Sequence, residues 1–299
     1  MKRHYYYLLL LPYFLLYACQ PATTTEESPA FSSLEGTWHL VSFRTEDDTT
    51  WQQTAGTGIY EKYITPTHFC WVSYDTEKDS LLGTGGGTYV YDSVAQTYTE
   101  DIHFFLPAGS NEMGQAIPFE AKNEDGKWHH IGYAKIFEFD PETGENVVVD
   151  SSRIDEIWER TTEPSSNENL VGTWNLESYK GDGDSIRSDY PEFVSYMKLV
   201  TPTHFLWVHY IAEQDLVLAE GGGTYQFDGA NYTETLNLVY PGGSGQVGTV
   251  LPFECEIENN DFWIHKGFIK VVSTDEESGE STVDSSRIDE VWKKYQPQM

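Results

Sequence analysis

The sequence predicts an all-β protein made of two tandem antiparallel up-and-down β-barrels of about eight strands each. Three observations carry that expectation. The chain repeats itself once, at an offset of 134–136 residues, over nearly everything after residue 33. Inside each copy the apolar positions alternate with period two rather than with the helical period. Turn-forming clusters punctuate the alternation, and no long helical pattern interrupts it.

The repeat sets the domain plan. Gly36-Thr37-Trp38 recurs as Gly172-Thr173-Trp174, and Thr65-Pro66-Thr67-His68-Phe69 as Thr201-Pro202-Thr203-His204-Phe205. Gly85-Gly86-Gly87-Thr88-Tyr89 returns at 221–225, Tyr98-Thr99-Glu100 at 232–234, and Pro118-Phe119-Glu120 at 252–254. The longest match, VDSSRIDE at 149–156, returns at 283–290, and each copy is followed by a Trp two residues on. A unit this long is a duplicated domain, since solenoid repeats run to roughly 20–50 residues. Residues 34–160 form barrel 1, 170–295 form barrel 2, and 161–169 (TTEPSSNEN) are a short polar linker.

Strands are expected at 37–44, 59–64, 68–74, 86–92, 96–106, 115–123, 127–138 and 146–159 of the first unit. In the third of these, His68, Cys70, Val72 and Tyr74 share one face and Phe69, Trp71 and Ser73 the other; His204, Leu206, Val208 and Tyr210 alternate with Phe205, Trp207 and His209 in the second unit. Asn123-Glu124-Asp125-Gly126 and the Asp-to-Gly runs at 140–144 and 275–279 supply turns. The glycine triplets precede strands and lack a following Lys-Ser/Thr, so they read as a hairpin or bulge needing positive φ rather than a phosphate loop.

Composition narrows the partners. The chain carries 48 acidic against 18 basic residues, a formal charge of −30. That argues against binding nucleic acid, which needs clustered Lys and Arg, and against docking on anionic lipid through a basic patch. Aromatics at 15%, with 9 Trp and 20 Tyr, separate it from acidic disordered chains. Cys70 and Cys255 stand opposite Leu206 and Ala121 of the other copy, so they read as two buried free cysteines, and no Cys/His cluster suggests zinc.

The first residues read as an export signal: Lys2, Arg3 and His4, then an almost wholly apolar run over 5–17 that is too short to span a membrane. Leu16-Tyr17-Ala18-Cys19 resembles a bacterial lipobox. The resemblance implies a signal peptide over 1–18, acylation of Cys19 and a lipid-anchored, exported lipoprotein of the cell envelope. The outer membrane is the expected site, with periplasmic or surface face left open. Residues 19–33, rich in Thr, Ser, Pro and Glu, suit a flexible tether.

Gly36-Thr37-Trp38-His39-Leu40-Val41-Ser42 resembles the first-strand signature of the lipocalin and fatty-acid-binding superfamily. The run at 153–160, RIDEIWER, sits where those barrels carry a basic residue beside a Trp. With the repeated TPTHF and GGGTY motifs, both units are similar to bacterial lipocalin-like domains of secreted lipoproteins. The resemblance implies a barrel with a potential pocket and names no ligand. It also implies that Trp38 and Trp174 plug the barrel bottoms under a cationic lid, Arg160 or Arg153 in one unit and Lys294 or Arg287 in the other. Fatty-acid-binding relatives clamp a carboxylate with Arg-x-Tyr. Here the run is Arg153-Ile154-Asp155, and an acid in that place favours a neutral or cationic apolar ligand.

Polar residues kept in both copies are candidate site residues: His68/His204, Glu100/Glu234, His130/His265, Lys135/Lys270, Arg153/Arg287 and Asp155/Asp289. Glu100 and Lys135 are expected to form a cross-strand pair. Trp71, Tyr74, Tyr89 and Phe104, with Trp207, Tyr210 and Tyr225, are candidate aromatic walls. The leading expectation is a lipid-anchored binding protein holding a small apolar ligand, without cofactor, metal or nucleic acid. Packed barrels that recognise a protein or glycan through their loops are the alternative, and a barrel enzyme using His68 and Glu100 is a third. No nucleophile elbow or metalloprotease motif is present, so no catalytic activity is expected.

Overall fold

A computed structural model describes residues 30–54, 56–110, 112–162, 168–242, 246–274 and 281–296. The expected signal segment, Cys19 and most of the tether lie outside the described residues. The first sheet comprises β1 (Gly36–Arg44), β2 (Gln52–Gln53), β3 (Gly58–Ile64), β4 (His68–Asp75), β5 (Ser80–Asp92), β6 (Thr97–Leu106), β7 (Ala116–Glu124), β8 (Lys127–Asp140) and β9 (Glu145–Arg160). The second comprises β10 (Gly172–Tyr179), β11 (Ser188–Asp189), β12 (Ser195–Val200), β13 (His204–Ile211), β14 (Leu216–Phe227), β15 (Asn231–Tyr240), β16 (Val250–Glu258), β17 (Phe262–Thr274) and β18 (Ser281–Lys294). Each long strand pairs antiparallel with the next, and β1–β9 and β10–β18 pairings close the two sheets. The short β2 and β11 hang on the edges of β1 and β10. The result is two closed eight-stranded antiparallel barrels in tandem, an arrangement that fits a lipocalin-like fold. Closure removes the unpaired strand edges that open sheets expose.

The barrel bottoms follow from the repeated Gly-x-Trp. Trp38 and Trp174 are fully buried. Their Nε1–H groups donate to the carbonyls of Leu34 at 2.7 Å and Leu170 at 2.8 Å. The Arg160 guanidinium lies 4.5 Å above Trp38, and the Lys294 ammonium 5.0 Å above Trp174. The lids are therefore Arg160 and Lys294, the residues paired across the closing seam, and not Arg153 or Arg287. The end of the expected tether also belongs to this floor. Phe31 packs edge-on against Trp38 at 5.4 Å, its carbonyl accepts from Tyr91 Oη, and Arg160 donates to the Ser33 carbonyl at 2.6 Å.

The glycine triplet does not form a turn. Gly85, Gly86 and Gly87 lie inside β5 without positive φ, whereas Gly223 of the second triplet has φ +159°, and both triplets sit at a β-bulge as expected. Their requirement is close approach: a Cβ on Gly87 would stand 1.9 Å from the Asp101 carbonyl oxygen, and one on Gly85 2.8 Å from Trp71 Nε1. The register slips opposite them, Gly86 facing Phe104 and Gly87 facing Ile102, so the extra residue falls in β6. That bulge reverses the alternation, and Phe104 turns outward while Phe105 turns in.

The two barrels pack wall to wall. Tyr63, Cys70, Val72, Tyr74 and Phe104 form one apolar cluster with Met197, Leu199, Leu206, Val208, Tyr210 and Leu238 of the second barrel. Cys70 and Cys255 are free and buried, Cys70 in this cluster and Cys255 in the core of barrel 2. Thr37 Oγ1 meets Thr201 Oγ1 at 2.7 Å and Thr65 Oγ1 meets Thr173 Oγ1 at 2.6 Å. Since Thr37 is equivalent to Thr173 and Thr65 to Thr201, these are one contact made twice across a local two-fold axis. That is the isologous geometry of a symmetric dimer, here within one chain.

The symmetry breaks at the position of Thr84, where barrel 2 has Glu220. Both are fully buried, and Thr84 Oγ1 donates to Glu220 Oε1 at 3.0 Å while Oε2 has no partner among the described residues. Burial pushes the Glu220 carboxyl up from 4.5 to about 8, partly offset by the Thr84 and Cys70 hydrogen bonds. A carboxyl raised on folding contributes stability that is fully present below its ordinary value and is lost as pH rises through its folded one. Denaturation of the wild type and Glu220→Gln between pH 5 and 9 is therefore expected to diverge. The wild type loses stability relative to the amide over that range, by about 1.4 kcal/mol for each pH unit between the ordinary and the folded value.

Candidate functional site

Barrel 1 contains a cavity of about 360 Å³ that opens toward solvent. Its walls are Leu40 and Phe43 of β1, Tyr60 of β3, Trp71 of β4, Phe105 of β6, Ile117 and Phe119 of β7, and Ile154 and Trp158 of β9. These are inward positions that period-two strands place on one surface. Trp71 lies against Phe105 at 5.3 Å, over the space that Gly85 leaves empty.

Four charged or titratable side chains interrupt this apolar lining besides Glu112, which comes from the β6–β7 loop. Lys62 Nζ donates to Glu100 Oε1 at 2.8 Å, and both side chains are almost fully buried. The rings of Trp128 and Trp158, each 5.2 Å from the ammonium, and of Tyr98 at 5.7 Å surround it, so the cation is desolvated but held by a carboxylate and aromatic faces. His130 Nδ1 lies 3.0 Å from Glu156 Oε2, which also accepts from Trp158 Nε1 at 2.9 Å. Burial opposes charge on Glu156, but the His130 hydrogen bond, with His130 and Lys62 charge and the Trp158 bond, outweighs it and holds the carboxyl low. Burial and then the Lys62 charge push His130 downward, against the pull of Glu156. Its Nε2 is buried without a partner among the described residues. Glu112 is half-buried, and burial, then the charges of Glu100 and Glu156, push its carboxyl up to about 7.

Barrel 2 repeats the inner pair and places further rings around it. Lys198 Nζ donates to Glu234 Oε1 at 2.7 Å amid Trp263 and Trp292, and His265 lies 3.3 Å from Glu290. Ser73 and Thr54 of barrel 1 are replaced by His209 and Tyr190. There Tyr190 Oη and His209 Nε2 are 2.6 Å apart, and the His209 ring stacks on Tyr196 at 5.1 Å. Tyr196 in turn meets Trp207 and Trp292 at 5.9 and 5.0 Å, so aromatic rings occupy the interior that Ser73 leaves open in barrel 1.

Of the candidates from sequence, Trp71 and Glu100 line the cavity, and Trp207 and Glu234 hold the equivalent places in barrel 2. Tyr89 and Tyr225 point inward but serve the floor, donating to the Thr65 and Thr201 carbonyls and packing on Tyr98 and Tyr232. Tyr74 and Tyr210 do not face either interior. They belong to the wall between the barrels, where the Tyr210 ring lies 4.5 Å from Phe104. His68 and His204 share that outward face, each with Nδ1 at 2.8 Å from the preceding Thr hydroxyl. Burial, then the His103 charge, pushes His68 down to about 4. The barrel wall separates His68 from Glu100, so the two do not form a catalytic pair.

Arg153 and Arg287 also point outward, each 2.6 Å from the acid two residues on, Asp155 or Asp289. Asp155 accepts further from Arg44 at 2.6 Å and His129 at 2.7 Å. Burial works against its charge, but the Arg44 and His129 hydrogen bonds and the Arg153 charge hold the carboxyl low. Lys135 is exposed, and the partner of Glu100 is Lys62 instead. Lys62, Glu112 and Glu156 are the charged site residues that sequence reasoning missed, and most of the apolar lining, Phe105 and Trp158 included, was missed as well. A signal existed for two: Tyr60-x-Lys62 recurs as Tyr196-x-Lys198, and Glu156 recurs as Glu290 inside the longest repeat. Among the described residues no group of three or more His, Cys, Asp or Glu is placed to hold a metal ion. No family model matches the chain, and no curated protein matches it.

Proposed function

We propose that this chain is an exported, lipid-anchored binding protein whose barrel 1 holds one small, mostly apolar molecule. The observation that carries the reading is the cavity of about 360 Å³ with aromatic walls and a few converging polar groups. Small-molecule sites have this character, at roughly 300–1,000 Å³. The export and anchoring half of the reading rests on residues 1–19 and their lipobox-like end. Barrel 2, with Tyr190, His209 and Tyr196 stacked in its interior, is a packed partner that braces the open barrel through the shared wall. The alternative, an interaction module, fits barrel 2 better than barrel 1 for that reason.

The test is a titration with the neutral naphthalene dye prodan, read by energy transfer from tryptophan. Saturable binding near one dye per chain is expected, because Trp71 and Trp158 line the cavity. Absence of saturable binding to a folded protein contradicts the reading.

A further inference from the structure

The charge balance of the barrel 1 cavity selects among apolar ligands, and this inference rests on the reading of barrel 1 as a binding chamber. Lys62 is the one Lys or Arg among the described lining residues, which also include Glu100, Glu112 and Glu156. Its ammonium is already committed to Glu100 and enclosed by rings. It has little left to offer an anionic head group. Glu156 spends one oxygen, Oε2, on His130 and Trp158. Glu112 has no side-chain partner among the described residues and stands at the cavity from the β6–β7 loop. Carboxylates therefore face a cavity whose aromatic walls also attract cations. In barrel 2 the position of Glu112 is Gln246, so the extra carboxylate accompanies the open cavity.

We propose that the ligand of barrel 1 is a small hydrophobic amine, its apolar body against Trp71, Phe105 and Trp158 and its protonated nitrogen paired with Glu112. An anionic amphiphile, the ligand type of a carboxylate clamp, is disfavoured in the same chamber. A ligand that brings no donor leaves the Glu112 carboxylate unpaired and binds more weakly than the amine, held by the aromatic walls alone.

The test compares three molecules of one shape: 4-phenylbutylamine, 4-phenylbutanol and 4-phenylbutyrate. Calorimetric titration of the full chain at pH 8, where Glu112 is ionised, is expected to rank amine above alcohol above acid, with at least tenfold between amine and acid. Glu112→Gln is expected to cut the amine-to-alcohol affinity ratio about tenfold. The wild type supplies an independent arm. Between pH 8 and 6 the Glu112 carboxyl takes up a proton, so that ratio falls several-fold; the other groups facing the cavity are Lys62 of β3, Glu100 of β6, His130 of β8 and Glu156 of β9. If acid or alcohol binds as tightly as the amine, or the ratio is unmoved by Glu112→Gln, the amine assignment is wrong while the chamber stands. If none of the three binds, the chamber reading itself fails.

Discussion

Trp38→Ala is expected to lower the unfolding free energy by about 3–5 kcal/mol, the range for deleting a large core aromatic. The ring is fully buried and closes the floor of barrel 1. Its removal takes away the edge contacts with Phe31 at 5.4 Å and Trp128 at 5.3 Å, the hydrogen bond to Leu34 and the surface beneath Arg160. The Leu34 carbonyl is then left without that donor, which adds to the cavity cost. Urea denaturation followed by circular dichroism reads the loss as a lower midpoint. A change below about 1 kcal/mol would mean that the floor is not a structural keystone.

The second large effect is electrostatic. Glu100→Leu leaves the Lys62 ammonium buried among aromatic rings with its carboxylate gone, and stability should fall by about 3–5 kcal/mol. Cation–π attraction from Trp128 and Trp158 recovers part of this but does not replace the ion pair. The double variant Lys62→Met/Glu100→Leu removes both charges and is expected to lie much closer to the wild type than Glu100→Leu does. A double variant as unstable as the single one would show that packing volume, not the unpaired charge, sets the cost.

Strand placement is legible in the sequence because period-two alternation and turn residues are local signals. The expected strands at 59–64 and 127–138 fall within one or two residues of β3 and β8. Which face of a strand turns inward is not legible. Alternation groups His68, Cys70, Val72 and Tyr74 together, but both faces of β4 are buried, one in the barrel and one against its neighbour. The sequence pattern therefore cannot separate chamber from interface, and it puts Tyr74, Tyr210, His68 and His204 on the wrong side. Phe104 fails for a different reason, the β6 bulge that reverses parity. Gly85-Gly86-Gly87 suggests positive φ, whereas its role is the space it leaves for Trp71 and the β6 backbone. Lys62 escapes notice because lysine is almost never fully buried unless paired, and its partner lies 38 residues away in sequence.

The proposal that barrel 1 holds one apolar molecule is tested most directly by Ser73→Trp, since Ser73 lines the cavity where barrel 2 carries His209. Prodan is expected to bind the wild type at one site per chain and to lose saturable binding in a Ser73→Trp protein that still unfolds cooperatively. Two sites per chain, or undiminished binding by the filled variant, would contradict the account.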